Sequence, residues 1–177
     1  MAIVDRMIRA AKGDVNLFEE VEHDPGATTE ALIVVAVVAV AEAIGAAIAA
    51  SMTRGGHPVS GIISGLVIGI IGWAVFAGIT YFIGTRLFNA DATWEEVLRT
   101  LGYAHSPNIV SILVFIPILG GLVALVAGVW ALYLGFVAIR SALDISSGQT
   151  VATILLSIIP AVIVVGIISW PLAMMRI

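Results

Sequence analysis

Long apolar runs divided by short polar connections make up most of the chain, and a shorter amphipathic pattern precedes them. In Met1 to Lys12 a helical turn of about 100° per residue puts Ile3, Val4, Met7, Ile8 and Ala11 on one arc. Asp5, Arg6, Arg9 and Lys12 fall on the other, which predicts a helix lying in the membrane interface with its basic residues toward an anionic leaflet. Residues 16–30 gather Glu19, Glu20, Glu22 and Asp24 around His23 and end in Pro25-Gly26. Such a charge run reads as a solvated connector, with Thr28 or Thr29 as the N-cap of the first long apolar helix.

Five apolar runs come next, at about 31–52, 59–83, 107–119, 122–139 and 151–175. About 20 helical residues match the ~30 Å hydrocarbon layer, so four of the five are long enough to span. The third gives only about 20 Å of helix before Pro117 and Gly120-Gly121 stop it, and two readings stay open: a short span in thinned bilayer, or a re-entrant segment covered by its neighbours. Between the second and third runs, Trp94, Val97, Leu98 and Leu101 share one helical face, and Glu95, Glu96 and Arg99 share the other. This predicts a surface helix capped by Thr93 or Asp91 and ended by Gly102. Tyr103 and His105 are expected at headgroup level with their polar edges wet, and Pro107 at the start of the next helix. Arg140 to Thr150, with Asp144, Ser146, Ser147 and Gly148, is expected to form a polar turn before the last run. The fold expected is therefore all-α: a polytopic transmembrane bundle of five spans, with residues 1–30 as interfacial helix and connector and 31–177 as the transmembrane domain.

Composition agrees with this pattern. The 177 residues are 60% hydrophobic and 11% charged, with mean hydropathy +1.13, against roughly 45–50% apolar in soluble domains. With 8 basic and 12 acidic residues the chain is mildly acidic, which argues against nucleic acid as a partner. Cysteine is absent, so disulfides and thiolate metal sites are excluded. No removable signal peptide is predicted.

Small residues mark expected helix contacts. Gly61, Gly65 and Gly69 recur every four residues in the second run, a ridge that lets backbones approach closely. Gly121, Ala124, Gly128, Ala131, Gly135 and Ala138 form a seam of small residues in the fourth, and Ala36, Ala39, Ala43, Ala46 and Ala50 a similar one in the first. The two seams are expected to meet.

Glu42 is the candidate for chemistry. It lies near the middle of the first run, where an ionised group costs about 2.5–3.5 kcal/mol on insertion scales and must face protein or water. Two readings are open: a neutral carboxylic acid donating to a neighbouring helix, or a participant in proton or cation movement with Tyr81, Trp130, Tyr133, Thr153 or Ser157. His23, His57 and His105 lack metal-ligand spacing. No phosphate-binding loop, HExxH or nucleophile elbow occurs, so neither an enzyme nor a bound cofactor is expected.

The segment Trp94-Glu95-Glu96-Val97-Leu98-Arg99-Thr100-Leu101-Gly102-Tyr103-Ala104, followed by Ser106-Pro107 and a short apolar run, resembles the central part of the Yip1-domain membrane protein family. Phe18 to Pro25 and Ile139 to Asp144 extend the similarity to nearly the whole chain. The resemblance implies five spans and a cytoplasmic N-terminal region. Eukaryotic relatives are associated with Rab-type GTPases and vesicle traffic. Here the N-terminal segment is short and the spans are rich in Ala, Val, Ile and Gly with minimal loops, which looks like a prokaryotic version, so location and architecture are carried over and the trafficking role is not. Arg6, Arg9, Lys12, Arg86, Arg99 and Arg140 then fall inside, with Arg54 and Arg176 outside, as the positive-inside rule requires. The expectation is a multi-pass protein of the cell membrane, N-terminus cytoplasmic and C-terminus outside. It would act as a scaffold, membrane organiser or accessory subunit, with the bilayer and a membrane-protein partner or second copy as its contacts. A small transporter or channel using Glu42 is the alternative, motivated also by proline-broken helices.

Overall fold

The computed structural model describes residues 3–52 and 58–174, without the side chains of 60, 61, 64 and 172–174. Arg54, His57 and Arg176 lie outside the described residues, as do the packing surroundings of Gly61. The described chain runs through α1 (Ile3–Ala11), α2 (Val15–Glu22), α3 (Ala27–Ser51), α4 (Pro58–Leu87) and α5 (Trp94–Ala104). A 3-10 helix (Ser106–Leu113), α6 (Leu119–Leu143) and α7 (Ser147–Met174) complete it. Among the described residues four helices are long and apolar enough to cross a membrane, over Ala27–Ser51, Gly65–Leu87, Leu119–Leu143 and Ser147–Pro171.

The expected spanning helix over 107–119 is not formed. Its place is taken by the 3-10 helix, whose eight residues rise about 16 Å, half the hydrocarbon thickness. Pro107 occupies the first turn, and the chain then turns sharply: Leu119 N–H donates to the Pro117 carbonyl at 2.7 Å, with Ile118 at φ 68°. This reversal needs Gly120, where a β-carbon would lie 2.0 Å from the Val114 carbonyl oxygen.

Close approaches of small residues set the helix directions. A β-carbon on Gly65 would meet the Ala43 backbone at 2.6 Å, and one on Gly69 would meet Ala39 at 2.8 Å, so α3 and α4 are antiparallel. Gly72 faces Val165 and Thr80 donates to Ser157, making α4 and α7 antiparallel too. Gly102 rests on Ala31 and Gly45 on Ser111, so the chain from α5 into the 3-10 helix runs parallel to α3 over about 21 Å of its length. The 3-10 helix therefore lies between α3 and α6, and the two small-residue seams expected to meet do not. The α3 seam contacts the glycine ridge of α4, whereas among the described residues Gly121, Gly128 and Gly135 have nothing within 4 Å of a built β-carbon.

The buried core sits at one end of the bundle. Leu17, Phe18 and Val21 of α2 pack with Val34, Val35, Val97, Leu101, Tyr103, Leu134, Ile139 and Leu143. At the other end, α6 and α7 display Leu125, Val129, Leu155, Ile159, Val162 and Ile167, each more than half exposed. In water such a surface would drive aggregation; against lipid tails it loses nothing.

Candidate functional site

The residues expected to form a solvated connector build an ordered polar layer over the packed end. Asp14 caps α2 by accepting from Asn16 N–H at 3.1 Å. The next turns place Glu20 and Asp24 where α1 can reach them. Arg6 donates to Glu20 at 3.0 Å, Asp24 at 2.8 Å and Glu30 at 2.8 Å, and Arg9 bridges Asp14 and Glu20 at 2.8 Å each. Arg6 is therefore turned inward and buried, contrary to the expectation that the basic arc faces the leaflet. Burial opposes its charge, but the bonds with Glu30, Asp24 and Glu20 outweigh this and hold the guanidinium above its ordinary range. Bonds with Arg9 hold Glu20 and Asp14 below the usual carboxylate range, and the bond with Arg6 does the same for Asp24.

A second set of bonds ties this layer to α5 and α6. Thr93 forms the predicted cap, accepting from Glu96 N–H while its own N–H donates to Glu96 Oε2. Trp94 lies against Gly78 and edge-on to Tyr81, 6.4 Å between ring centres. Arg99, assigned from periodicity to the wet face, is buried. It donates to the Val21 carbonyl at 3.1 Å, to Thr28 Oγ1 at 3.1 Å and to the Glu22 carbonyl, satisfying the open end of α2. Tyr103 is likewise fully buried, and its hydroxyl donates to Glu30 at 2.5 Å. Burial and the neighbouring carboxylate push Tyr103 upward. His105 bonds the Leu101 carbonyl at 2.9 Å and is lowered by burial. Tyr103 lacks the wet edge expected at headgroup level, and His105 is half-buried.

Glu22 is the unusual acid of the layer. It is buried and accepts from Ser141 Oγ at 2.9 Å. Burial pushes it up to about 7, the Glu19 and Asp144 charges push the same way, and the serine bond offsets them in part. Beside it a cleft of about 370 Å³ is lined by Glu19, Arg140, Ser141 and Asp144, with Val15 and Phe136. The polar turn expected to begin at Arg140 begins later, because α6 continues to Leu143 and Arg140 is helical; Asp144 takes a left-handed conformation at the C-cap, and both residues line this cleft. Among the described residues no group of three His, Asp or Glu side chains converges to hold a metal.

Glu42 stands apart from this layer. It is half-buried, with Oε2 3.3 Å from a β-carbon built on Gly69. Three of the five side chains weighed as relay partners are engaged elsewhere: Ser157 with Thr80, Thr153 with the Gln149 carbonyl and Trp130 with the Ala11 carbonyl. One turn from Gly69, the buried Trp73 indole N–H has no hydrogen-bond partner among the described residues.

Sequence reasoning anticipated the Thr93 cap and the Gly65/Gly69 contact, and missed the Arg6 and Arg99 hubs. A buried arginine leaves no periodic trace; the available signal was the excess of acids in residues 14–30, which needs compensating cations. The model of one protein family, the Yip1 domain, matches residues 15–169. No curated protein and no solved structure matches the chain significantly.

Proposed function

Because the chain belongs to the Yip1 domain family, we propose that this multi-pass membrane protein is a non-enzymatic bundle serving as a scaffold, membrane organiser or accessory subunit. The observation that carries this reading is how its polar chemistry is engaged. Arg6, Arg9, Arg99, Glu22 and Tyr103 are bonded within the chain, and they join α1, α2, α3, α5 and α6 into one end-layer. A catalytic centre needs an acid, base or nucleophile open to a substrate, and a relay through Glu42 needs a titratable neighbour.

In this reading the layered face is cytoplasmic, because Arg6, Arg9, Lys12, Arg86, Arg99 and Arg140 belong to it. The chain then passes the cell membrane five times, by α3, α4, the 3-10 helix with its following turn, α6 and α7, and ends outside. The third pass is tolerated because α3 and α6 flank it on either side.

Two measurements test the reading. Proteoliposomes of wild type and Glu42→Gln are expected to show equal, background flux of protons, alkali cations and small solutes. Saturable flux in wild type that Glu42→Gln abolishes would establish the transporter alternative. Cross-linking in native membranes is expected to return a stoichiometric complex; a lone 18.4 kDa band at every cross-linker length would remove the scaffold role.

A further inference from the structure

We propose that the grooves beside the 3-10 helix hold an acyl chain of an anionic phospholipid, with Lys12 meeting its headgroup. A cavity of about 550 Å³ lies between the 3-10 helix and α6, lined by Ile109, Val110, Leu113, Leu122, Val126 and Trp130 among others. A second, of about 430 Å³, lies between the 3-10 helix, α1 and α3, and includes Ile8, Ile33 and Val37. Both contain Ala11, Ser106 and Ile109, so they flank one short element. The cause is geometric: the 3-10 helix is slimmer and shorter than the α-helix it replaces, and α3 and α6 are left apart on either side of it.

The orientation suits a lipid. From Trp130 to Leu122 the larger groove follows α6 for about 12 Å, away from the polar layer and parallel to the long helices, as an acyl chain lies. Its volume falls in the range of small-molecule sites, about 300–1,000 Å³, and its lining is almost wholly apolar.

The mouth supplies the headgroup chemistry. Trp130 Nε1 donates to the Ala11 carbonyl at 2.8 Å, which fixes an amphipathic ring at the level where the groove meets α1. Lys12 is the next residue. Arg6 and Arg9 are neutralised by the acids of α2 and α3, whereas Lys12 makes no ion pair among the described residues. Lys12 follows Ala11, which lines both grooves, and a cation one residue from an apolar groove is complementary to a phosphate diester carrying an acyl chain.

The test uses the full chain reconstituted in phosphatidylcholine vesicles doped with phosphatidylglycerol. Native mass spectrometry is expected to find one phosphatidylglycerol retained. Val126→Trp, which fills the groove, is expected to lower retention at least tenfold with the helical circular dichroism unchanged. Lys12→Gln is expected to keep a bound lipid but reduce the preference for phosphatidylglycerol about fivefold, the effect of ~1 kcal/mol per basic residue at an anionic surface. An independent readout needs no groove variant: lipids brominated along the acyl chain should quench the fluorescence difference between wild type and Trp130→Phe. Wild-type retention by a folded Val126→Trp, an unquenched Trp130, or a lipid-free dimer whose interface covers Val126 would each overturn the proposal, the last by assigning the groove to a second copy.

Discussion

The seam between α3 and α4 and the outer face of α6 are made of the same small residues and are used in opposite ways. At Gly65 and Gly69 the facing backbone is so close that a single added carbon has no room. At Gly121, Gly128 and Gly135 the same carbon meets nothing among the described residues. Spacing therefore identifies a helix able to accept a close neighbour, and the neighbour itself is decided by topology. The 3-10 helix is the deciding element here, since it occupies the space between α3 and α6.

Substitution at matched positions gives the largest contrast. Gly65→Leu is expected to cost about 3 kcal/mol by overpacking against the Ala43 backbone, and Gly128→Leu less than about 0.5 kcal/mol; unfolding in mixed micelles measures both. Equal losses would mean that the α6 face is covered in the native state.

A second contrast separates the polar layer from the lipid-facing end. Arg6→Ala is expected to cost about 2–3 kcal/mol, because it strands Glu20, Asp24 and Glu30 near one another with a buried end of the network unpaired. The discount from a fully buried pair reflects the partial exposure of all three acids. Trimming Leu155 or Ile159 of α7 to Ala should cost well under half as much in the same assay.

The layer should also respond to pH where the α6–α7 end does not. Glu22 is raised from its ordinary 4.5 to about 7 in the folded protein, so the folded state binds the proton more tightly than the unfolded one. Its contribution is fully present below pH 4.5 and is lost as pH rises through 7, by on the order of 1–3 kcal/mol. Glu22→Gln should flatten the stability profile over that window; a profile unchanged by it would mean that Glu22 ionises freely in place.

The smallest expected effect points the other way. Gly128→Ala should raise stability by a few tenths to about 1 kcal/mol, since it gains helix propensity and meets no neighbour. The same change at Gly69 should lower it, and the sign difference is the sharpest form of the comparison.

Much of the architecture was legible because apolar length and punctuation report it directly. The long helices, the Thr93 cap and the Gly65/Gly69 ridge all follow from local chemistry. Arg6, Arg99 and Tyr103 were misplaced because amphipathic periodicity assumes that polar faces point to water. Here α1, α2 and α5 stack on one another, and their polar faces meet across gaps of 11 to 78 residues in the chain. The α6 seam was misassigned for a related reason: two small-residue rows look equally suited to pairing until a third element is placed between them.

Arg99 closes the end of α2 from 78 residues further along the chain. Until the ribosome has delivered α5, the carbonyls of Val21 and Glu22 have no guanidinium to receive, and Glu22 waits still longer for Ser141. The amino-terminal helices are thus made first and seated last, so the end-layer acts as the closing step of biogenesis. A nascent chain halted before α5 should expose residues 3–24 to protease, and one released after α6 should not.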